Sequence, residues 1–285
     1  MFDRFVLASN YNRIQSRYDM ASLQEGETYI PSFNIVPDSG AYVIIPEHNI
    51  QPSLLPFSPS MQSYFEEKKP NISIRSFMFG LQGVERDTKY FIRAEGDRNI
   101  NNDPNYTGSK AIFLQPKYKR IIREQRCLVL ADAFIIGIEK PYLVYMRGKQ
   151  RPFTFAGVWN KSADDKGREI NTFAIITIVA NPLIRKLGHD RMPVILRQLH
   201  ERRWLYNSTS LWQILEMFSP YPAFLMNAYP ISEKIKDRND LSVIQPTGRP
   251  VLYEGFGSIS GDRVRKVKEH SNSPTMAEAA GKSRK

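Results

Sequence analysis

The run His189-Asp190-Arg191-Met192-Pro193 carries the side chains of this chain best suited to moving protons and binding anions. An imidazole exchanges a proton near neutral pH, so His189 can act as a general acid or base; without proton-transfer partners such a histidine is more often structural. The Arg191 guanidinium suits two-point contact with a phosphate or a carboxylate. Metal chemistry has less support. The four histidines stand at 48, 189, 200 and 270, with no His-x-x-x-His and no paired Cys and His spacing, so no metal site is expected. There is no phosphate-binding Gly-rich loop, and Gly255-Phe256-Gly257 lacks the strand and helix signals of a dinucleotide site, so no cofactor is expected either. Cys127, the sole cysteine, can form no intramolecular disulfide, and its apolar setting Arg126-Cys127-Leu128-Val129-Leu130 predicts a buried, inert thiol.

The elements that must position these residues are mixed in kind. Asn10 to Gln24 carries Ile14, Tyr18 and Leu23 at loosely helical spacing before Gly26, which predicts a first helix. Ala41-Tyr42-Val43-Ile44-Ile45 predicts a strand framed by turns, and Ile72 to Leu81 alternates as a second one does. Asp97 to Ser109 is polar and predicts a loop. Pro116 to Gln125 predicts a helix opened by its proline, and Cys127 to Ile138 a buried strand. Tyr142 to Met146, Phe153 to Trp159 and Thr172 to Ala180 are further strands, the first pair joined as a hairpin through Arg147-Gly148-Lys149. A helix over Leu199 to Tyr206 and another with Ser208 as N-cap, carrying Leu211, Trp212, Leu215 and Phe218, follow. This irregular order points to an α+β fold rather than a doubly wound sheet.

Composition sets wider bounds. The chain of 285 residues is 41% hydrophobic, enough for a sizeable core. No stretch approaches the roughly 18 apolar residues of a membrane span, and the polar N-terminus lacks a signal-peptide core, so a cytoplasmic address is expected. Forty basic side chains against 29 acidic give a net charge of +11, of which +4 falls in residues 257–285 and +7 on the remainder. A polyanionic partner is favoured by that excess. Residues 257–285 are rich in Ser, Gly and charge, which predicts a disordered basic tail behind an ordered domain of residues 1–256.

Several segments, in shared order over some 240 residues, resemble the SRAP family (SOS response-associated peptidases, or abasic-site processing proteins). Met1-Phe2-Asp3-Arg4 stands where the family reads Met-Cys-Gly-Arg, and Asn34-Ile35-Val36-Pro37 is similar to its Asn-x-x-Pro. Phe79-Gly80-Leu81 resembles Trp-Gly-Leu, and Phe91-Ile92-Arg93-Ala94-Glu95 resembles Asn-Ala-Arg-x-Glu. Arg126-Cys127-Leu128 followed by Ala131-Asp132-Ala133-Phe134-Ile135-Ile136-Gly137 is similar to Arg-Cys-Leu then Ala-x-Gly-Phe-Tyr-Glu-Trp. Phe155-Ala156-Gly157-Val158-Trp159, Ala180-Asn181, the His189 run itself and Tyr229-Pro230-Ile231-Ser232 continue the match, with Gly188 as an apparent one-residue insertion.

The resemblance implies an SRAP-type single domain with a mixed, mostly antiparallel, barrel-like core and flanking helices. In that family a cysteine exposed by removal of the initiator closes a thiazolidine ring on the aldehyde of an abasic site, helped by an asparagine and a glutamate. Here those positions carry Phe2, Phe91 and Ile136, so crosslinking and self-processing are expected to be lost, since phenylalanine offers no nucleophile. His189 is retained. Arg4, Arg93 and Arg191 match positions that contact DNA phosphates or order the pocket, although each could equally pair with an internal carboxylate such as Asp3, Glu95 or Asp190. Three functions follow: noncovalent binding of single-stranded or gapped DNA by a pseudoenzyme, residual abasic-site lyase chemistry through an imine of the Met1 amine aided by His189, or a protein-interaction module whose tail engages a protein partner.

Overall fold

The computed structural model describes residues 2–18, 22–23, 26–47, 72–96, 111–148, 151–163 and 166–251. The fold is α+β. Its first sheet has five strands in the order Met226–Pro230 (β14), Tyr142–Met146 (β9), Ala133–Ile136 (β8), Arg4–Leu7 (β1) and Ser32–Ile35 (β3), antiparallel throughout. The second runs Arg191–Pro193 (β12), Glu169–Val179 (β11), Phe153–Ala163 (β10), Arg126–Ala131 (β7), Gly40–Pro46 (β4), Ile72–Phe79 (β5) and Ser22–Leu23 (β2). Phe91–Arg93 (β6) adds to β11, and Ile195–Leu196 (β13) adds to β10. Because β5 also pairs with β11, through Met78 opposite Thr172, the path β11-β10-β7-β4-β5 closes on itself. Closure leaves no free edge in that ring.

Strand alternation divides the core. Along β8, Phe134 and Ile136 enter the main cluster, while Ala133 and Ile135 enter a second one on the opposite face, roofed by the 3-10 turns Glu233–Lys236 and Leu241–Ile244. Along β1, Phe5 and Leu7 go one way and Val6 the other. This is the period of two that a sheet buried on both faces requires.

Five expectations change in detail. The first helix, α1, is only Tyr11–Arg17, N-capped by Asn10; it stops at Tyr18, whose hydroxyl donates to the buried Glu201 while Ser22 and Leu23 go on to pair with β5. Pro116 to Gln125 forms two short turns, Pro116–Lys119 (α2) and Ile121–Glu124 (α3), rather than one helix. The run Cys127 to Ile138 is two strands in different sheets. It breaks at Asp132, whose buried carboxylate accepts from the amides of Ala8 and Ser9 and the Ser9 hydroxyl, tying the crossing point to the end of β1. The expected hairpin between β9 and β10 is likewise absent, because β9 is already flanked by β8 and β14, and β10 by β7 with β11 and β13 on its other side.

Three helices remain: Pro182–Lys186 (α4), Gln198–Leu205 (α5) and Leu211–Glu216 (α6). The cap of α6 is Ser210, not Ser208: its hydroxyl accepts from the Gln213 amide while the Gln213 side chain accepts from the Ser210 amide, a reciprocal capping box. The predicted polar loop at 97–109, Gly255-Phe256-Gly257 and the tail 257–285 lie outside the described residues.

Candidate functional site

Phe2 is fully buried. Entering just before β1, its ring packs edge-on against Phe91 at 4.8 Å between centroids and Phe134 at 5.7 Å, with Phe155 at 5.9 Å. Phe91 is placed there by the parallel pairing of β6 with β11, where it stands opposite Ile175, and it extends the aromatic stack to Phe79 at 5.5 Å. Ile136, fully buried, joins the same cluster two residues beyond Phe134 on one face of β8. Phe2, Phe91 and Ile136 therefore share a single packed core. Aromatic pairs in such offset and edge-on arrangements contribute about 0.5–1.5 kcal/mol each beyond their area.

The three candidate arginines differ in their partners. Arg191, from β12, makes a two-point ion pair with the buried Glu95, at 3.0 and 2.9 Å, and also donates to the Thr177 carbonyl and hydroxyl. The register explains this, since Thr177 on β11 faces Arg93 across one ladder and Pro193 across the other. Arg4 bonds to Asp3 at 3.2 Å and to the Ile235 carbonyl at 2.9 Å. Arg93 is half-buried on β6. Two of the three arginines thus rest on internal carboxylates, Arg4 on its neighbour Asp3 and Arg191 on the distant Glu95.

His189 follows α4, where Gly188, at φ +85, lets the chain reverse and returns its amide to the Arg185 carbonyl. Its Nε2 lies 3.6 Å from where a Cβ on Gly137 would be, and that same Cβ would stand 2.7 Å from the Lys140 carbonyl oxygen. With φ +82, Gly137 has a conformation and a space that other residues fit poorly. Together they border an open cleft of about 850 Å³, flanked also by Ile138, Tyr142 and Lys186. Burial lowers the pKa of His189 below its usual 6.5, the amino-terminal charge adds to that, and Asp190 and Asp3 oppose it. The imidazole is therefore predominantly neutral at pH 7 and can accept a proton. Cys127 is buried against Gly157, and burial raises its thiol pKa, so it supplies no thiolate.

The family model described as SOS response associated peptidase (SRAP) matches residues 1–238. The chain belongs to this family. Curated SRAP relatives include the Bacillus subtilis abasic site processing proteins YoaM, 27% identical over 82% of this chain and 92% of its own, and YoqW, 27% identical over 82% and 94%. Crystal structures of proteins from Bacteroides thetaiotaomicron and Bordetella bronchiseptica share the fold, with TM-scores of 0.60 and 0.57 at 21% and 16% identity, covering 85% and 81% of this chain and 98% and 99% of theirs.

Within this SRAP chain, sequence reasoning identified Phe2, Phe91, Ile136 and His189 as a group, and the structure seats the first three in one cluster, with His189 beside Gly137, the residue after Ile136. Thr177 was missed as the anchor of Arg191, because a strand threonine carries no local signal that its carbonyl will receive a guanidinium from another strand. Gly137 was also missed. Its signal was present, in a glycine standing where the SRAP pattern ends in tryptophan. Among the described residues no group of three His, Cys, Asp or Glu could hold a metal ion, and no helix is long and apolar enough to cross a membrane.

Proposed function

We propose that this chain is a pseudoenzyme of abasic-site and DNA-damage processing that acts in the cytoplasm and binds single-stranded or gapped DNA without forming a covalent bond. The observation that carries the reading is the burial of Phe2 among Phe91, Phe134 and Phe155, which leaves neither a thiol nor an open pocket at the position that would form the thiazolidine. Arg93 contacts phosphate, while Arg4, held by Asp3 and the Ile235 carbonyl, and Arg191, held by Glu95, order the surrounding strands. The printed names of the curated relatives, abasic site processing proteins, support the pathway, and the +7 outside residues 257–285 supports the ligand class. Residues 1–256 form the SRAP-like domain and 257–285 a basic tail.

Fluorescence anisotropy with labelled single-stranded and gapped DNA over a salt series tests binding. Affinity should fall linearly in log–log form, by roughly 0.7 in slope per phosphate contact on single strands. Undetectable binding at low salt would remove the proposal, and a heat-stable adduct formed on abasic DNA without reductant would overturn the noncovalent part of it.

A second reading is favoured by the neutral His189 and by the influence of the amino-terminal charge on it. Once the sugar ring opens, passing its hemiacetal proton to the ring oxygen, an unprotonated Met1 amine condenses with the aldehyde, expelling water to give an imine, and His189 takes up the C2′ proton as the 3′ C–O bond breaks and the phosphate leaves. Borohydride reduction would trap that imine as an amine adduct; intact protein that gives no trapped product refutes the lyase.

A further inference from the structure

Arg126, at the start of β7, is buried and donates to four carbonyls: Ile122 and Arg123 at the end of α3, and Trp204 and Tyr206 at the end of α5. One side chain therefore joins the C-terminal ends of two helices far apart in sequence. It also satisfies carbonyls that would otherwise call for cations from the last turns. Yet those turns and the adjoining α2 carry a dense basic set, with Lys119, Arg120, Arg123, Arg202 and Arg203 all exposed. The nearby acids offset little of it. Glu201 is buried and bound to Arg17, Glu85 is engaged by Lys117, Lys89 and Tyr118, and Glu124 is the exposed exception. Among the described residues Lys119, Arg123 and Arg203 make no ion pair. The pKa of His200 on α5 is lowered first by burial and then by the charges of Arg197 and Arg203, consistent with a local positive field that Glu216 only partly opposes.

We propose that the joined ends of α3 and α5 are a second DNA contact, for the phosphate backbone of duplex DNA; this rests on the DNA-binding function above. Phosphate contact needs only well-placed cations, whereas single strands are held by exposed aromatic rings on which bases stack. The aromatic rings within these helices, Tyr118 of α2 and Trp204 of α5, are buried, and Tyr206 at the end of α5 is half-buried, so no fully exposed ring stands on these helix ends. The surface therefore suits paired DNA, whose bases are already stacked.

The test compares the full chain with the triple variant Lys119→Gln, Arg123→Gln, Arg203→Gln and a control that removes three exposed arginines elsewhere, Arg86→Gln, Arg238→Gln, Arg249→Gln. Anisotropy is read on a short single strand, an intact duplex and a gapped duplex across salt. The patch variant should bind the short strand as the parent does, which also shows that it folds, while its salt slope on both duplexes shrinks by roughly 2 to 3, near 0.9 per phosphate contact. The control should keep the parent's slope. An unchanged slope in the patch variant, or an equal loss in the control, overturns the proposal. A parent that binds duplex through the patch but ignores the short strand supports this surface and refutes the DNA-binding role of the His189 region.

Discussion

At position 2, a benzyl group that carries no nucleophile lies in the core. Phe2 has no exposed surface and touches three other rings, so its removal leaves a cavity as well as losing burial. Phe2→Ala should cost about 3–5 kcal/mol, the range for large-to-small changes in packed interiors. Urea denaturation measures this, and a loss below about 1 kcal/mol would show that the ring is not part of the core. That position 2 carries no nucleophile was legible from the residue alone. That Phe91, Phe134 and Phe155 would be its ring partners was not legible, because ring contacts depend on which strands the sheets bring together.

At the level of elements, the informative failures lie where a polar side chain interrupts an apolar run. Leu128 to Ile138 looks like one strand because only Asp132 breaks it; the chain changes sheets there because that carboxylate gathers three donors from residues 8 and 9. Sequence periodicity cannot register a partner more than a hundred residues away. Arg126 shows the same in a positive charge. It sits in an otherwise apolar strand and holds the ends of α3 and α5, with its guanidinium 5.7 Å from the Trp204 ring centre. Arg126→Ala leaves buried carbonyls of both helices without donors and should destabilise the chain by about 3–5 kcal/mol, as expected for breaking a buried charged network. Hydrogen exchange should show α5 losing protection first; uniform protection across α5 and β10 would contradict the clamp.

For the molecule as a whole, closure of β11-β10-β7-β4-β5 makes stability depend on groups buried at the ring and its flanks. Burial raises the pKa values of Asp132 and Glu201, although hydrogen bonds and nearby arginines oppose it; these two carboxylates cost stability at neutral pH and are relieved as they protonate above their usual range. Burial lowers those of His189 and His200. Their penalty is absent above pH 6.5, grows as the unfolded chain takes protons first, and is complete below their folded values. Chemical denaturation should therefore show His189→Gln with His200→Gln losing part of the parent's decline in stability below pH 6.5; an identical pH profile would refute that assignment. The sequence by itself determined the α+β class, the family, the +11 charge and a phenylalanine at position 2, since these reside in residue identity, order and local period. Only the tertiary structure decided that the substituted positions condense into one aromatic plug, that Arg191 answers to Glu95 and Thr177, and that two helix ends meet at Arg126. Those outcomes turn on long-range strand pairing and the satisfaction of buried charge, and no local stretch of the chain encodes either.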